Sequence, residues 1–356
     1  MGKNTVEPCD TSSIRQAISA NAFYEIELAL EKKVIGDIRK RQQAIPGLKV
    51  DHFGCTATWG GEISQGCRNC CLKGKLTQIR TTTKCNLNCP FCYYFGQKDF
   101  PEQEGMPAEV YMINEHGFSE DDVRLLFEVQ GKKNLHGVAW VHFEPLMAID
   151  KMLPLMKFIH KKGYYQWLYT NGVFATEENL KKLSDAGLDE IRFNLAATDC
   201  SDKVIKNMRI ARKYFKHLCI ESPVFTQFYE SFMKKKKEIL DTGVDHIHFA
   251  ELQLFPKTKD HFKGEGPVYR YKRGYVSPIK SRQLTYDIFE TAAREKWKNV
   301  TLYDCSNETK FFRGVNCSQK FGYVQYRGVL DLGEEFYKKA GAICGLKLRS
   351  GRCAKK

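Results

Sequence analysis

From Leu76 onward the chain alternates short runs of β-branched and aromatic residues with longer amphipathic stretches, and this alternation restricts the fold more than any other feature. Candidate strands are Thr77–Thr82, Gly137–Phe143, Tyr165–Thr170, Glu190–Leu195, Leu218–Pro223 and Asp245–Leu252. Helical stretches start near Ser119, Ile149, Thr176, Asp202 and Tyr229, and Gly163, Gly187 and Gly243 stand where helices are expected to end. Strand–helix alternation at this spacing predicts an α/β chain with a parallel sheet and right-handed crossovers. Residues 11–43 read as one further helix, with Ser13 and Gln16 in a capping-box spacing and Pro46-Gly47 closing the segment.

The loop after the first candidate strand reads Thr83-Lys84-Cys85-Asn86-Leu87-Asn88-Cys89-Pro90-Phe91-Cys92-Tyr93. Three thiolates at this spacing can hold three corners of a cubic [4Fe–4S] cluster. A purely structural cluster takes four cysteines, so three imply an iron open to a small-molecule ligand. A zinc site or a chance grouping is the alternative reading, since the chain has fourteen cysteines. Ahead of the first strand, Cys67 and Cys70 form a Cys-x2-Cys turn with Cys55 and Cys71 nearby. That set is adequate for a tetrahedral thiolate site or an auxiliary cluster, with unligated thiols in a reduced cytosol as the alternative.

At 356 residues with ordinary apolar and charged content, the chain is long enough for a sizeable core. No run approaches the ~18 apolar residues of a membrane span. The first residues lack a signal peptide, and Val6 excludes the myristoylation pattern, so a cytoplasmic location is expected. The net charge of +14 favours an anionic partner: a nucleic acid, a phosphorylated metabolite or an acidic surface. Lys234–Lys237 read as the solvated face of a helix. In Tyr269-Arg270-Tyr271-Lys272-Arg273-Gly274-Tyr275 aromatics interleave with cations, so Arg270, Lys272 and Arg273 are candidates for contacting RNA phosphates or an anionic substrate.

The cysteine spacing, with Phe91 just before the last Cys, resembles the radical S-adenosylmethionine (SAM) superfamily. The run from Cys67 to Glu144 is similar to a branch of it related to pyruvate formate-lyase activating enzymes, and Cys305-Ser306-Asn307 echoes a late element of that branch. The resemblance implies a partial (β/α)6 barrel over residues 76–255. Residues 1–75 would form a helical, Cys-rich extension and 256–356 a cap over the barrel mouth. It further implies that Cys85, Cys89 and Cys92 carry a [4Fe–4S] cluster whose open iron chelates SAM. One electron, from a carrier such as flavodoxin or ferredoxin, would then release a 5′-deoxyadenosyl radical. Such a cluster is oxygen-sensitive, so an anaerobic setting is expected. Cys305 joins Cys55, Cys67, Cys70 and Cys71 as a candidate for a second metal.

By family position, Phe91 faces the adenine, and Glu144-Pro145 occupy the place of the Gly-Gly-Glu-Pro motif, with His142 and Phe143 replacing both glycines. Glu144 is then expected to face the SAM amine. His142 is either a group titrating near the cofactor or a simple hydrogen-bonding partner of the next strand. Asn171 in Thr170-Asn171-Gly172 could reach SAM, though Asn-Gly is also good turn chemistry. Arg192 and Asn194 share one face of their strand, and the resemblance assigns them the SAM carboxylate and ribose. Glu221 and Glu251 are carboxylates in apolar surroundings that need partners: cofactor, substrate or a lysine. The leading expectation is a radical SAM enzyme acting on a polar or anionic small metabolite. RNA or protein modification is the second, and a non-catalytic iron–sulfur electron carrier comes from another class.

Overall fold

The strand–helix alternation is realised as one nine-stranded sheet. The computed structural model describes residues 11–94, 107, 109–113, 116–272, 274–321, 332–349 and 352–355. The chain begins with α1 (Thr11–Ala44), the strands β1 (Lys49–Asp51) and β2 (Thr56–Trp59), and a π-helix at Gly66–Cys71. The strand β3 (Leu76–Ile79) and a small hairpin, β4 (Tyr111–Ile113) with β5 (His116–Phe118), come next. The repeating part runs through α2 (Glu120–Asn134), β6 (Gly137–Trp140), α3 (Ile149–Lys161), β7 (Tyr165–Thr170), α4 (Glu177–Asp185), β8 (Glu190–Phe193), α5 (Asp202–Ala211), β9 (His217–Val224), α6 (Thr226–Leu240) and β10 (His246–Glu251). A hairpin of β11 (Val268–Tyr271) and β12 (Tyr275–Pro278) leads into α7 (Ile279–Glu295), β13 (Thr301–Cys305), α8 (Asn307–Phe321) and α9 (Gly333–Ile343).

The strand order is β1-β2-β13-β10-β9-β8-β7-β6-β3. From β3 to β13 every neighbour pairs in parallel, while β2 and β1 close that edge antiparallel. This is the expected partial barrel, and all six expected strands are present. The sheet also goes further. Residues 49–59 and 301–305 join it, so it crosses the boundaries expected at 75 and 255, and β13 is a seventh parallel strand. Its signal was hidden because Asp304 interrupts an otherwise apolar run; the structure buries that carboxylate against Arg282 and Tyr286. Helix starts follow the sequence: Ser119 and Asp122 form a capping box, and Thr176 and Ser201 cap α4 and α5. α1 begins at Thr11, which places Ser13 inside the helix. Among the described residues no helix is long and apolar enough to cross a membrane.

Period-two alternation divides each parallel strand between two environments. Ile191, Phe193, Leu218, Ile220, Ile247, Phe249 and Leu302 pack with the helices in the main core. The alternate residues, Glu190, Arg192, Glu221, His248 and Tyr303, line the inside and are polar. From β8 to β13 the strands therefore turn polar side chains inward, while Ala139, Val141 and Trp167 make the β6 and β7 side apolar.

The described part of the basic hairpin packs on α1. Tyr269, Tyr271 and Tyr275 are buried against Ile26, Leu30 and Val34 of α1. Arg270 Nε lies 3.1 Å from Glu27 Oε1, and Lys272 Nζ lies 3.4 Å from Glu31 Oε1. Arg270 is buried in this packing, Lys272 pairs with α1 while staying half-exposed, and Arg273 falls outside the described residues. Glu251 is likewise internal: it accepts from Tyr269 Oη at 2.5 Å and from Asn307 N at 2.8 Å. It also faces Arg282 at 3.6 Å. It is a structural carboxylate and not a substrate contact.

Arg282 is the centre of that arrangement. Its guanidinium also meets Asp304 at 2.9 Å and Glu308 at 2.8 Å, so one buried cation ties α7 to β10, β13 and α8. Removing it takes this cation from Glu251 and Asp304, while Glu308 keeps Arg39 at 3.2 Å. Arg282→Ala is expected to cost roughly 3–5 kcal/mol of stability, read by urea unfolding. An unchanged midpoint would show that these carboxylates find other partners.

Candidate active site

The cysteine loop lies just beyond the C-terminal end of β3, the face where parallel barrels place their chemistry. Cys85 is exposed, while Cys89 and Cys92 are half-buried. The loop is closed by Cys92 N donating to Cys89 O at 2.9 Å. Burial raises all three thiols, Cys89 to about 12, and Cys89 is raised further by Cys92 and Cys85, so the sulfurs lie within electrostatic reach of one another. Among the described residues no three His, Cys, Asp or Glu side chains converge on one metal position. A cubane does not need that convergence, because each cysteine binds a different iron. Asn171 anchors the loop by donating from Nδ2 to Asn86 Oδ1 at 2.7 Å. Phe91 is half-buried, its ring 5.8 Å from that of Phe225.

Glu144 has no exposed surface. Its Oε1 accepts from Leu146 N at 3.2 Å and Thr170 Oγ1 at 2.8 Å, and its Oε2 accepts from Asn171 N at 2.8 Å. The carboxylate expected to face the SAM amine is instead a clamp between the ends of β6 and β7. Burial pushes its pKa up to about 7 against the opposing effect of these donors. His142 and Phe143 have φ of 72° and 51°. The backbone therefore keeps the left-handed shape for which glycine is normally chosen, although both residues carry side chains. The Phe143 ring stacks on Tyr94 with centroids 4.4 Å apart, and Arg80 sits 5.8 Å over Phe143. His142 is exposed to solvent, and crowding by neighbouring groups together with Arg80 lowers its imidazole below the ordinary value. The roles of Thr170, Tyr94 and Arg80 were not read from the sequence; Tyr94 was signalled only by its closeness to Cys92.

Below this mouth lies the charged interior. Arg192 is buried and donates to Glu190 (2.6 Å), Glu221 (2.8 Å), Tyr169 Oη (2.8 Å), Ser64 Oγ (3.1 Å) and Cys67 Sγ (3.4 Å). With its donors so engaged it is a strut of the barrel and not the expected partner of the SAM carboxylate. Glu221 also meets His248 Nδ1 at 3.4 Å. Burial alone would raise Glu221, but His248 and Arg192 outweigh it and hold the carboxyl down at about 2. Its side chain remains 21% exposed. Asn194 is half-buried and caps the turn that follows β8, accepting from Ala197 N at 3.2 Å.

The upstream cysteines are arranged differently from a Cys-x2-Cys chelate. Cys67, Cys70 and Cys71 all lie on the π-helix, whose i→i+5 bond runs from Leu72 N to Cys67 O at 2.9 Å. Cys70 turns to Ala139, Val141 and Trp167, and a Cβ on Gly137 would meet its sulfur at 2.8 Å. Cys67 instead lies near Cys71 and packs with Tyr303 and Cys305. Cys55 is placed beside Glu308, Arg39 and Lys272.

A family model described as the radical SAM superfamily matches residues 79–226. An uncharacterized protein of Methanocaldococcus jannaschii is 24% identical over 208 residues, 53% of this chain and 61% of that protein. A second protein of the same organism, provisionally named a glycyl-radical enzyme activating enzyme, is 26% identical over 202 residues, covering 54% and 51%. The chain thus spans about half to three-fifths of the length of these curated relatives. Among solved structures, Streptococcus suis SuiB bound to S-adenosylmethionine aligns with a TM-score of 0.46 at 13% identity, covering 64% of this chain and 49% of that one.

Glu144→Gln sets an amide N–H against a site built wholly of donors. It is expected to lower stability by about 1–3 kcal/mol and to loosen the Asn171 turn, read by thermal unfolding. His142→Gly, by contrast, removes a left-handed non-glycine residue and is expected to stabilise by about 1 kcal/mol in the same assay. Equal effects of the two changes would contradict the clamp.

Proposed function

The chain belongs to the radical SAM superfamily, and from that premise we propose that this enzyme acts on a small polar metabolite held over the charged floor of its barrel. Cys85, Cys89 and Cys92 would hold a [4Fe–4S] cluster, leaving one iron for SAM. When bound, these groups supply a 5′-deoxyadenosyl radical that takes hydrogen from an unreactive carbon. The protein's own part is to bind, orient and exclude water. Asn171 fixes the cysteine loop through Asn86, and Glu144 fixes the β6 and β7 ends from which the loop is braced. The left-handed backbone at His142 and Phe143 keeps the shape expected of a cofactor-binding turn.

One observation carries the choice of substrate class. Glu221 presents a partly exposed charge inside the barrel, whereas two of the cations that favoured RNA, Arg270 and Lys272, are paired with Glu27 and Glu31 of α1. A polar or cationic group on a small molecule can pair with Glu221 where water is scarce, and such a contact is worth more there than at the surface. A plain electron carrier has no use for an ionised carboxylate left partly exposed inside the barrel. A one-electron donor such as flavodoxin or ferredoxin is the fitting reductant.

Anaerobic reconstitution followed by dithionite and SAM is expected to give 5′-deoxyadenosine, with product and cluster iron both lost when Cys85, Cys89 and Cys92 become Ala. Deuterium from labelled polar metabolites is then expected to appear in 5′-deoxyadenosine, and this transfer is expected to fall with Glu221→Gln. An RNA that stimulates 5′-deoxyadenosine formation, with Glu221→Gln lacking effect, would overturn the substrate assignment while leaving the superfamily intact.

A further inference from the structure

Cys67 and Cys71 are neighbours on the π-helix, a pairing that the Cys67-x2-Cys70 spacing does not suggest. The reason is the helix type. A π-turn is wider than an α-turn, so side chains four residues apart line up while those three apart diverge. Cys70 turns into the apolar group around Trp167, and Cys67 packs on another side with Tyr303. π-Turns are also concentrated at functional sites.

The two neighbouring thiols are unlike. Cys67 is buried, whereas Cys71 keeps accessible surface. Arg313 Nη1 donates to Cys71 Sγ at 3.8 Å, and Arg192 Nη1 donates to Cys67 Sγ at 3.4 Å. Cys71 and burial together push Cys67 up to about 12. Cys67 and Arg313 act the other way on Cys71 and hold it below the ordinary thiol value in spite of burial. One sulfur therefore keeps its hydrogen while the other gives its hydrogen up readily. Reactive cysteines sit in partly exposed, electropositive surroundings, and thiols buried in apolar surroundings are inert. Cys71 meets that description. Cys70, Cys200 and Cys219 are buried, and burial pushes the partly exposed Cys305 up to about 12.

We propose that Cys71 and Cys67 form a reversible dithiol–disulfide pair, with Cys71 the nucleophile toward a low-molecular-weight organic disulfide and Cys67 the resolving thiol. The Cys71 thiolate attacks one sulfur of the small disulfide, forming a mixed disulfide and releasing one small thiolate. Cys67 then attacks the Cys71 sulfur and loses its proton to the second small thiolate as that leaves. The two protein sulfurs are oxidised by two electrons, and the small disulfide is reduced to two thiols. Oxidation thereby changes the bonding of a sulfur that lies 3.4 Å from Arg192 Nη1 and 3.8 Å from His248 Nδ1. Cys305 and Cys70 take no part.

The test uses the full-length chain with Cys85, Cys89 and Cys92 replaced by Ala, reduced and treated with chelator, so that the cluster loop does not compete. Oxidised glutathione is added at neutral pH, and the products are quenched in acid, alkylated, digested with trypsin and weighed. Cleavage after Arg68 separates Cys67 from Cys71, so the bond appears as a linked pair of peptides. That link is expected in the parent chain and retained in Cys70→Ser and Cys305→Ser. Cys67→Ser is expected to stop at a glutathione adduct on Cys71, and Cys71→Ser to give neither adduct nor link, each with folding checked by circular dichroism. Loss of the link in Cys70→Ser, a bond from Cys71 to Cys305, or absence of both link and adduct in the folded parent chain overturns the proposal. Every readout is independent of SAM cleavage, so failure here and failure of the proposed enzyme reaction are distinguishable.

Discussion

An arginine sealed inside a barrel has five N–H donors to satisfy, and much of this interior is arranged around that demand. Arg192 reaches Glu190 on its own strand, Glu221 on β9, Tyr169 on β7, and Ser64 and Cys67 around the π-helix. One cation thus fixes three strands and the segment that plugs them. The Coulombic gain has to outweigh the desolvation of every member, so removing any one partner is far more costly than a surface ion pair suggests. The packing is close: a Cβ on Gly66 would meet Arg192 Nη2 at 2.7 Å.

The same logic separates residues that hold the mouth from residues that face it. Glu144 and Arg192 have the charges that ligand binding would want, yet both are fully engaged by protein groups. Their part is positioning. Glu221 differs because one side of it remains open while Arg192 and His248 keep it ionised. A partly exposed charge with buried neighbours is pre-oriented, and under the proposed function it is the interior group that would meet a small-molecule substrate.

The cysteine loop and the strand–helix order were legible because both are local. Cys85, Cys89 and Cys92 lie within eight residues, and caps such as Ser119 with Asp122 are satisfied within one turn. The hairpin at Tyr269–Tyr275 was not legible locally, because interleaved aromatics and cations look alike whether they face a polyanion or a helix bearing Glu27 and Glu31. Partners more than two hundred residues away carry no local signal. Asp304 concealed β13 for a related reason: a buried carboxylate reads as solvent-facing until its arginine is found on another helix.

The sequence by itself determined the parallel α/β architecture, the three-cysteine loop and its place after the first strand. Period-two and helical repeats, caps and short-range spacing are fixed by bonds along the chain. Tertiary structure alone decided which polar residues are struts and which are open to a ligand. It also turned Cys-x2-Cys into a pairing of Cys67 with Cys71, because a π-turn, stabilised where Gly66 and Cys70 press against the barrel wall, rotates the sulfurs. Side-chain direction depends on the helix type, and helix type here depends on contacts with Trp167, Arg192 and Gly137 that lie far along the chain.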